Sequence, residues 1–222
     1  MPTENREYIH IHMKKLYLVR HGESEGNNQN VYQSEVSLLS QKGKEQAHIL
    51  QKRFKNIKID ALYASPLKRA QETAEIINEI LNLPIQTTDL VREWGKPSAL
   101  IGKQTEGKEA KEFQDALRAR PEDSYWKWQD EESIGEVRDR VVSFLEEMKR
   151  APQENILVVT HSLPLKMLLS IVLFGPEHIP FVHGSSPFRV RTSNTGITVL
   201  QLPDGEKNWE LLTFNDHAHL GE

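Results

Sequence analysis

The chain has 222 residues, 28 Lys and Arg against 32 Asp and Glu for a net charge of −4, and 37% hydrophobic and 27% charged residues. That length suits one large domain with a full core. The composition excludes disordered and fibrous proteins, and the slight acidity gives no general attraction to nucleic acid or an anionic membrane, so any anion site must be local. The absence of cysteine removes disulfides, thiolate catalysis and zinc–thiolate sites. MPTENREYIHIHMKK at the N-terminus has no apolar h-region, and no run approaches the roughly 18 apolar residues of a membrane span, so the expected compartment is the cytoplasm.

Residues 1–14 read as a polar N-terminal extension to a domain over 15–222. Lys15–Val19 (KLYLV) is a short apolar run that breaks at Arg20-His21-Gly22, as a buried strand does on entering a functional loop. Ser40 then caps a helix to about Phe54, with Ala47, Leu50 and Phe54 on one face. In the next strand–helix unit Asp60–Ala64 is the strand, Ser65 the N-cap and Pro66 the first helical residue, where its missing N–H costs nothing. Arg69 falls in the first turn, Ala70, Ala74, Ile77 and Leu81 continue the helix to a stop at Pro84, and Ile85–Thr87 reads as a short strand.

From Trp94 to Ser133 the periodicity loosens into WGKPSALIGK, a charged helix near Lys108–Arg118, and the polar-aromatic PEDSYWKWQDEES. This reads as a helical and loop insertion over the sheet, at about 94–133. Ile134, Val137, Val141, Phe144, Leu145 and Met148 then mark a helix face, and Ile156–Thr160 (ILVVT) a buried strand with His161 immediately after it. Ser162 and Pro164 open a nearly all-apolar helix to about Phe174. Phe188–Ser193, Gly196–Leu202 and Trp209–Phe214 read as short strands, the last two joined by a Pro-Asp-Gly turn. Alternating strands and helices predict a single α/β domain.

Three strand-to-helix junctions thus carry Arg20-His21-Gly22, Arg69 and His161, at the strand ends where ligands collect in open α/β sheets. Helix N-termini offer free N–H groups, and two guanidiniums grip phosphate oxygens without losing charge. An imidazole attacks phosphorus only when its attacking nitrogen is neutral, so the other should donate to a nearby carbonyl, which points to His21 as nucleophile. Gly22 suits a close backbone approach to substrate, while Arg20, Arg69 and His161 would stabilise the transferring phosphoryl group with no metal and no cofactor. Glu93 is the best-placed carboxylate to protonate the leaving alkoxide.

These residues carry a resemblance to a known family. LVRHGESEGN (Leu18–Asn27), SPLKRAQETA (Ser65–Ala74), VVTHS (Val158–Ser162) and NTGIT (Asn194–Thr198) resemble the motifs of the histidine phosphatase superfamily, in its phosphoglycerate-mutase-like branch. The resemblance spans roughly Lys15 to Phe214. It implies a three-layer α/β/α sandwich around a mixed, mostly parallel sheet, with Arg20, His21, Arg69 and His161 as the phosphate pocket. It further implies Asn27 as an added phosphate contact, Ser162 of the second-histidine motif as a substrate-binding position, and Glu93 as proton donor. Glu93 is followed by WGKPSALIGK where many members carry a Gly-rich stretch with a second Glu-Gly pair, which leaves Glu106 and Glu109 as substitutes.

Taken singly, Arg-His-Gly reads as a polar turn, Arg69 as a surface helix arginine and His161 as a hydrogen-bonded strand end; their joint order at βα junctions argues for function. His10 with His12, and His217 with His219, alternate like a metal pair but lack carboxylate or thiolate partners. Tyr125, Trp126 and Trp128 read as packing the insertion onto its domain, and Lys96 and Lys103 as solvated. The leading function is a phosphomonoester hydrolase working through a phosphohistidine on a small phosphorylated metabolite. The alternatives are a mutase-type phosphotransferase and a non-catalytic phospho-ligand binder. Oligomeric state is left open.

Overall fold

A computed structural model describes residues 13–119, 123–177 and 190–221. The strands are β1 (Met13–Arg20), β2 (Ala61–Ala64), β3 (Ile85–Thr87), β4 (Asn155–Thr160), β5 (Ile197–Pro203) and β6 (Glu210–Asp216). They form one sheet in the order β3-β2-β4-β1-β5-β6. β1 and β2 each run parallel to β4, with Arg20 opposite Thr160 and Ala64 opposite Val159. Three strand C-termini therefore reach one edge at the same level. β3 adds parallel to β2, and β5 and β6 add antiparallel beyond β1.

The helices are α1 (Glu25–Asn28), α2 (Gln41–Phe54), α3 (Lys68–Leu81), α4 (Lys108–Ala119), α5 (Ile134–Arg150) and α6 (Ser162–Phe174). Strand alternation sorts the buried side chains into two cores. Leu16, Leu18, Ile156 and Val158 face Val141, Phe144 and Met148 of α5 and Leu165 and Leu168 of α6. Val19, Leu157 and Val159 face Leu50 and Phe54 of α2 and Ala70, Ala74 and Ile77 of α3. The result is the three-layer α/β/α sandwich, each fully buried Leu, Ile or Phe contributing about 1.5–3 kcal/mol.

Local signals explain most boundaries. Ser40 Oγ accepts the Gly43 N–H (3.1 Å) to start α2, and Ser133 and Glu136 form a reciprocal capping box on α5. At the end of α3, Asn82 adopts a left-handed conformation (φ 52°) and Asn78 bonds both backbone groups of Leu83. Among the described residues no helix is long and apolar enough to cross a membrane.

Three expectations are corrected. α3 begins at Lys68 rather than Pro66, with Leu67 as a cap lacking a side-chain bond. Ser65 is not the cap because its hydroxyl bonds His161 and the Leu67 N–H, while Glu35 O accepts the Lys68 N–H (3.1 Å). Residues 190–193 join no strand, since the Thr192 carbonyl turns to Arg20 and the Ser193 N–H to Asn215 Oδ1; residues 188 and 189 lie outside the described residues. β1 starts two residues early, at Met13, inside the expected extension. The rest of that extension, with His10 and His12, also lies outside them.

Candidate active site

β1 delivers His21 to the sheet edge, where its N–H donates to Thr160 O (2.9 Å) and Asn194 Nδ2 donates to its carbonyl (2.9 Å). The imidazole is buried, and Nδ1 donates to Gly22 O at 2.6 Å. That bond fixes the tautomer, so Nε2 carries the lone pair, 3.3 Å from the Arg69 Nε–H. Burial first, then the Arg69 and Arg20 charges, hold the His21 pKa well below its ordinary value, against a smaller opposing pull from the Gly22 carbonyl. The ring is neutral at pH 7.

Gly22 is needed for a different reason from the expected one. It does not line the cavity; its N–H donates to Thr73 Oγ1 (3.1 Å), and a Cβ there would lie 2.5 Å from Gly43 O. A Cβ on Gly43 would in turn lie 1.9 Å from Glu23 O. Two backbones touch where α2 abuts the loop, and neither position has room for a methyl group.

Arg69 is buried at the start of α3, and its Nη1 donates to Ser34 O (3.2 Å). Arg20 is held by the Thr192 carbonyl (2.5 Å). Burial lowers both guanidinium pKa values and the Glu93 carboxylate opposes the shift. His161, fully buried as the N-cap of α6, stacks tilted on His21 with ring centroids 4.9 Å apart. Its Nε2 meets Ser65 Oγ at 2.7 Å, and with the Leu67 N–H donating to that oxygen the Ser65 hydroxyl can donate to Nε2. Burial, then His21 and the two arginines, lower the His161 pKa as well. Among the described residues, His161 Nδ1 and Arg20 Nε are buried polar atoms without a hydrogen-bond partner. Both are donors that a tetrahedral anion between them would satisfy.

The cavity above this cluster holds about 650 Å³ and is lined by Arg20, His21, Asn27, Arg69 and Glu93, along with wall residues of the 92–105 segment. Glu93 Oε1 accepts the Trp94 and Leu163 N–H groups (3.0 and 3.2 Å). Its neighbour Arg92 pairs instead with Glu132 (3.2 Å), which also takes Arg140 Nε (2.7 Å). Glu132 further accepts the Gly95 N–H (3.2 Å), so a buried carboxylate ties residues 92–95 to the start of α5.

Among the expected residues, Asn27 reaches the cavity while its Oδ1 accepts the Ser24 N–H (3.3 Å). Ser162 does not reach it; its hydroxyl pairs with Thr192 Oγ1 (2.8 Å), and the Thr192 carbonyl in turn holds Arg20. Glu106 and Glu109 are exposed and do not line the cavity. His217 and His219 take separate partners, Asn215 O and Thr195 Oγ1. Lys103 is exposed, as expected, and faces Glu109 (3.8 Å), but Lys96 is not solvated: it is half-buried in the cavity wall, 3.1 Å from the centroid of the Trp94 ring. Ser65, Thr73, Asn194 and Glu132 also escaped the sequence. Ser65 and Thr73 lie within SPLKRAQETA and Asn194 opens NTGIT, so three of the four had a signal there.

At the C-terminal edge of the α/β/α sheet a buried, neutral imidazole thus lies beside two arginines and a second histidine, an arrangement chemically able to hold and attack a phosphoryl group. The sequence profile of the histidine phosphatase superfamily (branch 1) matches residues 16–217. Phosphoserine phosphatase 1 of Hydrogenobacter thermophilus is 32% identical over 214 residues, covering 95% of this chain and 96% of that protein. The 2,3-bisphosphoglycerate-dependent phosphoglycerate mutase of Thermoplasma acidophilum is 32% identical over 204 residues, covering 87% and 90%. The solved structure of Bacillus stearothermophilus YhfR aligns with a TM-score of 0.78 at 27% identity, over 93% of this chain and 99% of that one. The chain belongs to the histidine phosphatase superfamily, and its activity is phosphomonoester hydrolysis.

Proposed function

We propose that hydrolysis passes through a phosphohistidine on His21, on a small phosphorylated metabolite in the cytoplasm. On this reading one domain, over 15–222, does the chemistry, and its segment at about 94–133 supplies specificity. The observation that carries the reading is the Nδ1–H···O=C bond to Gly22, which leaves Nε2 as the nucleophilic atom and stabilises the positive charge the ring gains on phosphorylation.

In the first step Nε2 attacks phosphorus, the P–O ester bond breaks, and Glu93 gives its proton to the leaving alkoxide. Arg20, Arg69 and His161 Nδ1 hold the equatorial oxygens as charge spreads onto them. In the second step the Glu93 carboxylate takes a proton from water, the oxygen attacks phosphorus, the P–N bond breaks, and His21 returns neutral with inorganic phosphate released. His21, Arg20, Arg69, His161 and Glu93 supply every group these steps use, with no metal and no cofactor. Asn27 adds a phosphate contact, whereas Ser162 acts as a positioning residue through Thr192, and Gly22 through its packing on Gly43.

The test is hydrolysis of p-nitrophenyl phosphate with chelator present, alongside trapping of acid-labile phosphoenzyme, for wild type and His21→Ala. Turnover and label are expected to vanish together in the variant, a loss of roughly 10³-fold or more. A labelled wild type with negligible turnover would indicate a mutase, and neither signal would indicate a phospho-ligand binder.

A further inference from the structure

His219 is a half-buried histidine that the phosphoryl transfer does not use, and neither it nor Asn194 nor Thr195 lines the cavity. Asn194 and Thr195 form a turn just before β5 that clasps the backbone of Arg20 and His21. The Thr195 N–H donates to Arg20 O (2.9 Å), the Arg20 N–H to Gly196 O (3.4 Å), and Asn194 Nδ2 to His21 O (2.9 Å). Just upstream, the Thr192 carbonyl takes the Arg20 guanidinium.

The clasp is strained. Thr195 is fully buried and holds φ at 57°, in the left-handed region that a β-branched residue rarely enters. Such a conformation persists where the surroundings over-determine it. The Thr195 hydroxyl has one proton, which goes to Asn194 O (2.7 Å). Its contact with His219 Nε2 (3.1 Å) therefore has the imidazole N–H donating and the oxygen accepting. Nδ1 of His219 keeps the lone pair, buried and without a hydrogen-bond partner among the described residues. Burial first, then Arg53, hold the His219 pKa below its ordinary value while Asp216 opposes them, so at pH 7 the ring is neutral in this tautomer. Asn215 of β6 secures the other side of the clasp, its Oδ1 accepting the Ser193 N–H (2.7 Å). Among the described residues the one hydrogen bond of the His219 side chain thus goes to the strained turn.

We propose that His219 is a positioning residue for the phosphoryl transfer: its Nε2–H holds Thr195 in the left-handed turn, and the turn sets where the backbone of Arg20 and His21 sits. This rests on the phosphohistidine reading of His21. An attacking imidazole must stand in line with the P–O bond it breaks, and a displacement of about 1 Å costs on the order of 10²-fold in rate. His219 therefore acts on kcat without touching substrate.

Four variants test this on p-nitrophenyl phosphate. His219→Leu removes the donor, and His219→Gln returns an amide N–H where Nε2 stands. Thr195→Gly removes the acceptor at a position whose backbone glycine adopts without strain, and the fourth variant combines His219→Leu with Thr195→Gly. His219→Leu is expected to lower kcat about 10- to 100-fold with KM changed less than about threefold. Inhibition by vanadate, which takes the five-coordinate geometry of the transition state, should weaken by the same factor as kcat, and inhibition by inorganic phosphate much less. His219→Gln should recover most of kcat. Thr195→Gly should reproduce the loss, and the double variant should add nothing to it.

A His219→Leu enzyme with wild-type kcat and only a lower urea midpoint would make the residue structural and overturn the assignment. Equal losses in His219→Gln and His219→Leu would overturn it too, as would losses that multiply in the double variant. A wild type with neither p-nitrophenyl phosphate turnover nor phosphoenzyme is a separate failure, which would remove the reading of His21 and this one with it.

Discussion

Around His21 the backbone itself leaves no spare volume: Gly22 lies against Gly43, Gly43 against Glu23, and the His21 carbonyl is bound by Asn194. Across the cavity, backbone bonds tie Gly95 to Glu132 and residues 102–105 to Asn30 and Tyr32, and side chains fill the wall between these ties. Phe113 sits between Trp94 and Trp128 at ring separations of 5.8 and 5.7 Å, and Glu132 fastens Arg92 and Arg140. The contrast implies a division of labour. A backbone-locked end fixes the reacting geometry, and a wall built from interchangeable side chains can change the alcohol it accepts without disturbing that geometry.

Gly43→Ala should break this comparison most severely. The methyl group would overlap Glu23 O, and the expected cost is about 3 kcal/mol of stability, read as a lower urea midpoint, together with loss of turnover. A wild-type midpoint would mean that the loop yields and the locked end is no lock. Glu93→Gln probes the seam between the two regions. It should lower kcat about 10²-fold for alkyl phosphates but much less for p-nitrophenyl phosphate, whose phenolate leaves without a proton. Equal losses on both substrates would remove Glu93 from the role of acid.

A smaller effect sharpens the electrostatic side. His21 and His161 are both buried with lowered pKa values, so below about pH 6.5 the unfolded chain binds protons that the folded chain refuses. Stability should therefore fall as pH drops below that value, by up to roughly 1.4 kcal/mol per pH unit for each imidazole. Urea midpoints across pH should show a shallower slope in His21→Gln; an unchanged slope would mean that His21 is not held neutral.

The locked end was legible because its chemistry sits at local punctuation: an apolar strand, then Arg-His-Gly or Thr-His, then a helix. Ser65 looked like a helix cap for the same local reason, and only the arrival of His161, 96 residues later, diverts its hydroxyl. Lys96 was read as solvated because a lysine after glycine in a proline-containing loop has the composition of a surface turn. The rings that enclose it come from positions 32, 94 and 113, and no short window of sequence contains all three. Thr192 failed as a strand residue because an arginine side chain claimed its carbonyl, a contact that periodicity does not encode.

The central position of β1 has a consequence for how the protein is made. Among the described strands β1 is synthesised before the others, but its two neighbours are β4 and β5, starting at Asn155 and Ile197. On a ribosome the interval before β4 emerges is roughly ten to thirty seconds, during which Leu16, Leu18 and Val19 have neither strand to pair with. The nascent chain thus exposes an apolar strand for most of its synthesis, a natural target for chaperones. It also carries His21 long before Thr192 and Asn194 exist to position Arg20 and His21, so an incomplete chain holds the histidine without the contacts that place it.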